Sequence, residues 1–225
     1  MFTALSFTDI DCQYKTAFVL SHKIREALAS EIDREEQLDG EVEIDGAYFG
    51  GHLRPANMKA DRVDRRLAEH QTGTRRVVVA IRQRKGRTLP FVCLTEGEGV
   101  ALAIKHVSRL AVMHADEAAH WDRLHDAWQV GRVNHSEGYS IDGACTNQAE
   151  SYFSRLRRMV TGQHHGVSAK YLYQYANEAA WKEDHRRLDN GRAHRRTLRN
   201  ALLHPVSRVW KGYWQRAALS NIGSR

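Results

Sequence analysis

Apolar residues recur along this 225-residue chain with two different periods, and the changes of period mark out its elements. From Thr16 to Glu36 the spacing is helical, with Ala17, Leu20, Ile24, Leu28 and Ile32 along one stripe, and Asp39-Gly40 breaks it. Over 41–51 the period falls to two: Val42, Ile44 and Tyr48 predict a strand that bears Asp45 and ends at a glycine pair. Residues 52–74 are polar, basic and irregular and read as a loop. Residues 75–87 read as a buried-type strand running into a turn at Lys85-Gly86, with 89–96 as its hairpin partner. After Gly97 and Gly99, residues 100–110 predict a helix, and the short apolar run Ala111-Val112-Met113 delivers Asp116 at its end. Trp121, Leu124 and Trp128 sit at helical spacing, 133–135 reads as a last short strand, and Asn147 to Trp214 reads as two or three helices. The order of strands and helices predicts an α/β fold, a mixed sheet flanked by helices.

Composition narrows the class. An apolar share of 42% beside 27% charged residues suits a globular domain, and no apolar run approaches the ~20 residues of a membrane span. The N-terminus lacks the layout of a signal peptide. Cys12, Cys93 and Cys145 lie far apart and form no C-x-x-C pair, which argues against a disulfide framework or zinc knuckle and for a cytoplasmic location.

Charge adds a partner. The net charge is +7, and its distribution matters more: 1–50 holds four basic and eleven acidic residues, 54–87 eleven and three, 88–154 four and nine, 155–216 fourteen and four. Arginine dominates the basic blocks, and its planar fork suits phosphate, so a polyanion is the expected partner. The clusters Arg155/Arg157/Arg158, Arg186/Arg187 and Arg195/Arg196 are the candidate phosphate path. The tryptophans, at helical spacing with other apolar residues, are expected in the core rather than stacked on bases.

Three acids stand out. Asp45 interrupts an apolar strand, where a carboxylate needs a partner or a task. Asp116 ends the next apolar run, at a strand end where open α/β sheets bind ligands. Glu150 starts a helix whose apolar stripe is Ala149, Phe153, Leu156 and Val160, with Asn147, Glu150, Ser154 and Arg157 on the neighbouring face. Taken singly, each has a plain structural use: strand-end turn former, N-cap of a helix over 117–128, exposed helix acid. Together they form a hard oxygen donor set suited to magnesium or manganese, and two such ions about 4 Å apart support in-line attack at phosphorus. A competing metal site would draw on His114, Asp116 and His120, with His125 and His135 nearby, as in a transition-metal hydrolase. No H-E-x-x-H or similar spacing supports it.

The phrases around these acids, EIDGAYFGG (43–51), HADEAAHWDRLH (114–125), the run from Val133 to His165 and KYLYQYANEAAWKEDHRR (170–187), resemble DDE transposases of bacterial insertion sequences, in the ISXO-like group. WKGYWQR (210–216) resembles the ending of some members, so the resemblance spans about 12–216. It implies a ribonuclease H-like catalytic domain with Asp45, Asp116 and Glu150 as the catalytic, metal-binding acids. It implies two Mg2+ or Mn2+ ions and no zinc, cleavage and strand transfer at element ends, DNA as partner, and a homo-oligomer assembled on DNA. Asn147 matches an asparagine just before the third acid, and Arg157 stands where the family usually has a lysine. His135 is expected to orient the site or touch DNA. Residues 13–28 resemble the end of the family's helix-turn-helix. The paired C-x-x-C motifs with which members usually begin are missing, which implies a miscalled start or a truncated copy.

The expected organisation is a helix-turn-helix remnant at 1–36, the catalytic domain at 37–188 and a basic helical tail at 189–225. A non-catalytic DNA-binding remnant is the alternative from another class.

Overall fold

The computed structural model describes residues 11–32, 34–50, 57–63, 73, 75–133, 145–207 and 209–213. Five strands form one sheet: β1 (Glu41–Phe49), β2 (Arg76–Gln83), β3 (Thr88–Cys93), β4 (Val112–Asp116) and β5 (Gln129–Val133), in the order β3-β2-β1-β4-β5. β1 pairs antiparallel with β2, and β2 with β3; β4 runs parallel to β1, and β5 parallel to β4. The helices are α1 (Tyr14–Ser30), α2 (Glu98–His106), α3 (Asn147–Arg157), α4 (Ala169–Asp184) and α5 (Asn190–Leu203). This is the ribonuclease H-like mixed sheet flanked by helices that the resemblance implied.

The sheet is covered on both faces, which explains why β2 reads as an unbroken apolar run. Val77, Val79 and Ile81 pack with Val42, Ile44, Val100, Ala103, Trp121 and Leu124 on one face. Val78 and Ala80 pack with Ala47, Phe49 and the apolar stripes of α3 and α4 on the other. All five β2 residues have no exposed surface. The expected stripe of α3 is in place, since Ala149, Phe153, Leu156 and Val160 are all buried.

A further layer lies outside α4, where α1 and α5 pack. Arg25 Nε meets Glu178 Oε2 at 2.7 Å with both side chains under a tenth exposed. Such a pair tolerates the loss of neither partner. Glu31 accepts Trp181 Nε1 at 2.5 Å and pairs with Arg196 of α5. His22 is fully buried, stacked on Trp210 at 4.2 Å between centroids. Burial, then the Arg25 charge, pushes its pKa down to about 3, so the ring is neutral.

Several boundaries differ from the pattern-based reading. α1 spans Tyr14–Ser30 rather than 16–36, and its inward face keeps Ala17 and Leu28 of the expected stripe but not Leu20, which is 41% exposed, and adds the buried His22 and Arg25. The contacts of these two are an aromatic cluster and an ion pair, which hydrophobic spacing does not register. α2 ends at His106 because Val107 is extended and bridges to Leu38. The segment after Asp116 is a 3-10 helix over Ala119–Asp126, with Trp128 beyond it, donating from Nε1 to the Ser108 carbonyl at 2.7 Å. β5 begins at Gln129, four residues before the expected 133. Most of 52–74 lies outside the described residues; 59–61 is a short 3-10 turn. Trp121, Trp128, Trp181 and Trp210 are core residues, as expected, and Trp214 lies outside the described residues.

Candidate active site

The parallel pairing of β1 with β4 brings the first two acids together. Its register runs Glu41↔Val112, Val42↔Met113, Glu43↔His114. Extending that offset by two residues sets Asp45 beside Asp116, on one face because side chains alternate with period two. The face is the one that α3 covers, since Val42, Ile44, Met113 and Ala115 belong to the opposite core. α3 packs on β1 and β2 and brings Glu150 to the same side.

All three acids are partly exposed, and each rests on a local donor. Asp45 Oδ1 accepts the Gly46 N–H at 2.7 Å, Asp116 Oδ1 accepts the Ala118 N–H at 3.1 Å, and Glu150 Oε1 accepts the Thr146 hydroxyl at 3.3 Å. Burial pushes the Asp45 carboxyl up to about 7, against its bond from Gly46, and the charges of Asp116, Glu96 and Glu150 push the same way. Like charges gathered in a half-buried crevice disfavour ionisation in this way. Among the described residues, no three His, Cys, Asp or Glu side chains close to a metal-ligating group. Carboxylate oxygens are the donors that a hard divalent cation takes, so Asp45, Asp116 and Glu150 fit such an ion in chemical kind, though not as a closed group.

The remaining predicted residues fall in different settings. Asn147 opens α3 and is exposed. Arg157 is exposed near the end of α3, its guanidinium 5.8 Å from the centre of the Phe153 ring. Arg155, Arg158 and Lys182 line a groove of about 260 Å³ together with Met159, Gln163 and Ala179. Arg155 also pairs with Glu183, whose side chain is fully buried, and Arg186 reaches the same residue at 2.7 Å. Arg187 and Arg195 are exposed, and Arg196 pairs with Glu31. His135 lies outside the described residues.

Among the described residues, the histidines considered for a transition-metal site do not form a metal-holding group. His114 Nε2 lies 3.4 Å from Glu41, but burial and the Arg84 charge push its pKa down to about 4, so it carries no charge at neutral pH. His120 Nε2 lies 3.3 Å from Glu96, and His125 is exposed.

Two acids of this region were not singled out from the sequence. Glu43, fully buried, shares the face of Asp45 two residues earlier; the rule that flagged Asp45, an acid inside an apolar strand, applies to it equally. Glu96, between β3 and α2, lies against Gly46 so closely that a Cβ there would sit 2.6 Å from its Cγ. Its charge acts on Asp45, and the charge of Asp116 acts on it, through tertiary contact that no local pattern announces.

A five-stranded mixed sheet of this order, flanked by helices, is consistent with a ribonuclease H-like fold. Residues 37–184 match the ISXO2-like transposase domain, and the chain belongs to that family. No curated protein and no solved structure matches it. Among the described residues, no helix is long and apolar enough to cross a membrane.

Proposed function

We propose that the chain catalyses divalent-metal-dependent cleavage of DNA at insertion-element ends, followed by strand transfer from the freed 3′ hydroxyl. Support for this reading comes from the β1–β4 register, which runs to Glu43↔His114 and, carried two residues further, would bring Asp45 level with Asp116; the charges of Asp116 and Glu150 both act on the Asp45 carboxyl. Asp45, Asp116 and Glu150 are the residues that would hold two magnesium or manganese ions. Such ions, when bound, supply an activated hydroxyl at neutral pH and charge stabilisation at phosphorus.

The chain's own residues prepare that chemistry. Asp45 gives up its proton near neutral pH, so that the site accepts a cation in its ionised form. Arg157, exposed seven residues after Glu150 on α3, offers two parallel N–H donors to a flanking phosphate. Asn147, at the start of the helix, orients the third acid or the phosphate. The groove of Arg155, Arg158 and Lys182 continues the basic path, with Arg186, Arg187, Arg195 and Arg196 beyond it. In this reading the catalytic domain is 37–188, flanked by 1–36 and a basic tail at 189–225, and copies assemble on DNA.

The test is a binding and cleavage assay on a labelled duplex with Asp45→Asn. The proposal predicts retained DNA binding and lost Mn2+-dependent cleavage. Equal behaviour of mutant and wild type, both binding and neither cutting, would make the chain a DNA binder and withdraw the enzymatic reading.

A further inference from the structure

The helix that carries Glu150 is capped from another element. Thr146, in the N-cap position of α3, makes no side-chain cap, and its hydroxyl donates to Glu150 instead. The first N–H groups of a helix have no partner within it. Here Gln148 and Ala149 donate theirs to one oxygen of Glu43 on β1, at 2.8 and 3.0 Å. These are the two positions that an N-cap side chain ordinarily serves. The other Glu43 oxygen receives Arg84 Nε at 2.9 Å, and Arg84 Nη2 donates to the Cys145 carbonyl at 3.1 Å. From the same β2–β3 turn, Lys85 N–H donates to Gln148 Oε1 at 3.1 Å.

These bonds tie the elements that bear the acids. Glu43 precedes Asp45 by two residues on one strand face, about 6.6 Å along the chain. The N–H groups it holds belong to the two residues immediately before Glu150. A single buried carboxylate thus fixes where α3 begins relative to Asp45, and its negative charge sits at the positive end of the helix dipole. We propose that Glu43, braced by Arg84, is a positioning residue that holds Glu150 in reach of the cation bound at Asp45 and Asp116. The inference rests on the carboxylate-metal reading above.

The test compares Glu43→Gln with Glu178→Gln in Mn2+ titrations followed by electron paramagnetic resonance, in DNA-cleavage kinetics and in thermal unfolding. Glutamine keeps the volume of Glu43 but sets an amide donor against one of the N–H donors around it. Glu178, equally buried, joins α1 to α4 away from the start of α3. Glu43→Gln is expected to weaken Mn2+ binding and kcat by roughly ten- to hundredfold, with KM for DNA unchanged, as losses behind metal ligands do. Glu178→Gln should lower the melting temperature and keep wild-type Mn2+ affinity. Wild-type Mn2+ binding by Glu43→Gln, or equal weakening in Glu178→Gln, overturns the proposal. If Glu43→Gln does not fold, Arg84→Lys, which retains the charge but loses the fork to Cys145, must show the same weakening in smaller measure, or the proposal falls. A wild type that binds Mn2+ without cutting DNA removes the functional reading and leaves this one to the titration; a wild type that binds no Mn2+ removes both.

Discussion

The two faces of β1 differ sharply in chemistry near Asp45. On one, Val42 and Ile44 are fully buried against Ile81, Met113 and the ring of Trp121, with no charged side chain in the cluster. On the other, Glu43 and Asp45 meet α3, with His114, Asp116 and Arg84 close by. A strand's period of two lets neighbouring residues serve opposite purposes. The apolar face supplies burial that drives folding, while the other gathers like charges that oppose it around Asp45 and adds apolar burial only further along, at Ala47 and Phe49. Substitutions on the two faces should therefore separate stability from activity.

The largest effect is expected on the polar face. Asp45→Asn and Asp116→Ala should each lower Mn2+-dependent DNA cleavage by about a thousandfold or more, the scale of losing several kcal/mol of charge stabilisation. Circular dichroism should report an intact fold in both, since neither side chain belongs to an apolar cluster. On the apolar face, Gly99 is the sharper probe. A Cβ there would lie 2.8 Å from Trp121 Cζ3 and 2.9 Å from Val79 Cγ1, both rigidly buried. Gly99→Ala should destabilise by about 1–3 kcal/mol, the usual range for overpacking, as denaturant unfolding would report. Its Mn2+ affinity should stay at the wild-type value.

A pH experiment bears on the charge side of the comparison. The Asp45 carboxyl is raised to about 7 by burial and its acidic neighbours. Its unfolded value is about 3.9, so between these values the folded chain binds a proton that the unfolded chain has released. Stability therefore falls as pH rises through that window, and a cation that needs the ionised form is favoured above it. Added Mg2+ should raise the melting temperature more at ~pH 8 than at ~pH 5, and Asp45→Asn should flatten that difference. The smallest effect is expected at Gly46, where the three atoms an added methyl would meet first, Cγ at 2.6 Å among them, all belong to the Glu96 side chain, which must swing aside. Gly46→Ala should change stability by less than about 1 kcal/mol. A far larger loss would mean that Glu96 cannot move aside.

Much of this was legible in the sequence because period and punctuation are local. The apolar run of β2 and the stripe of α3 fall where the pattern puts them, since their burial is apolar; the alternation of β1 holds at Val42 and Ile44 but not at Tyr48, which is exposed while Ala47 and Phe49 are buried. The stripe of α1 holds at Ala17 and Leu28, but hydrophobic spacing does not register His22 and Arg25, whose burial depends on partners 150 or so residues away, such as Glu178. The candidate site shows the same divide. Asp45, Asp116 and Glu150 sit in motifs that can be read in order, and the sheet register, carried two residues further, would bring the first two level. Glu43, an acid between Val42 and Ile44, carries the same local signal as Asp45, but its contact with the first turn of a helix 105 residues on is not local, and Glu96 is marked only by its contact with a glycine of β1. The π-helical turn at Arg158–Gln163 carries no local signal that would distinguish it from a continuing α-helix.

The measurement that bears most directly on the central claim is cleavage of a labelled DNA duplex with added Mn2+ by wild type and Asp116→Ala side by side. The account predicts nicked product from wild type and none from the mutant at equal DNA binding. Equal cleavage by both would contradict it, because the carboxylate that ends β4 would then have no part in the reaction.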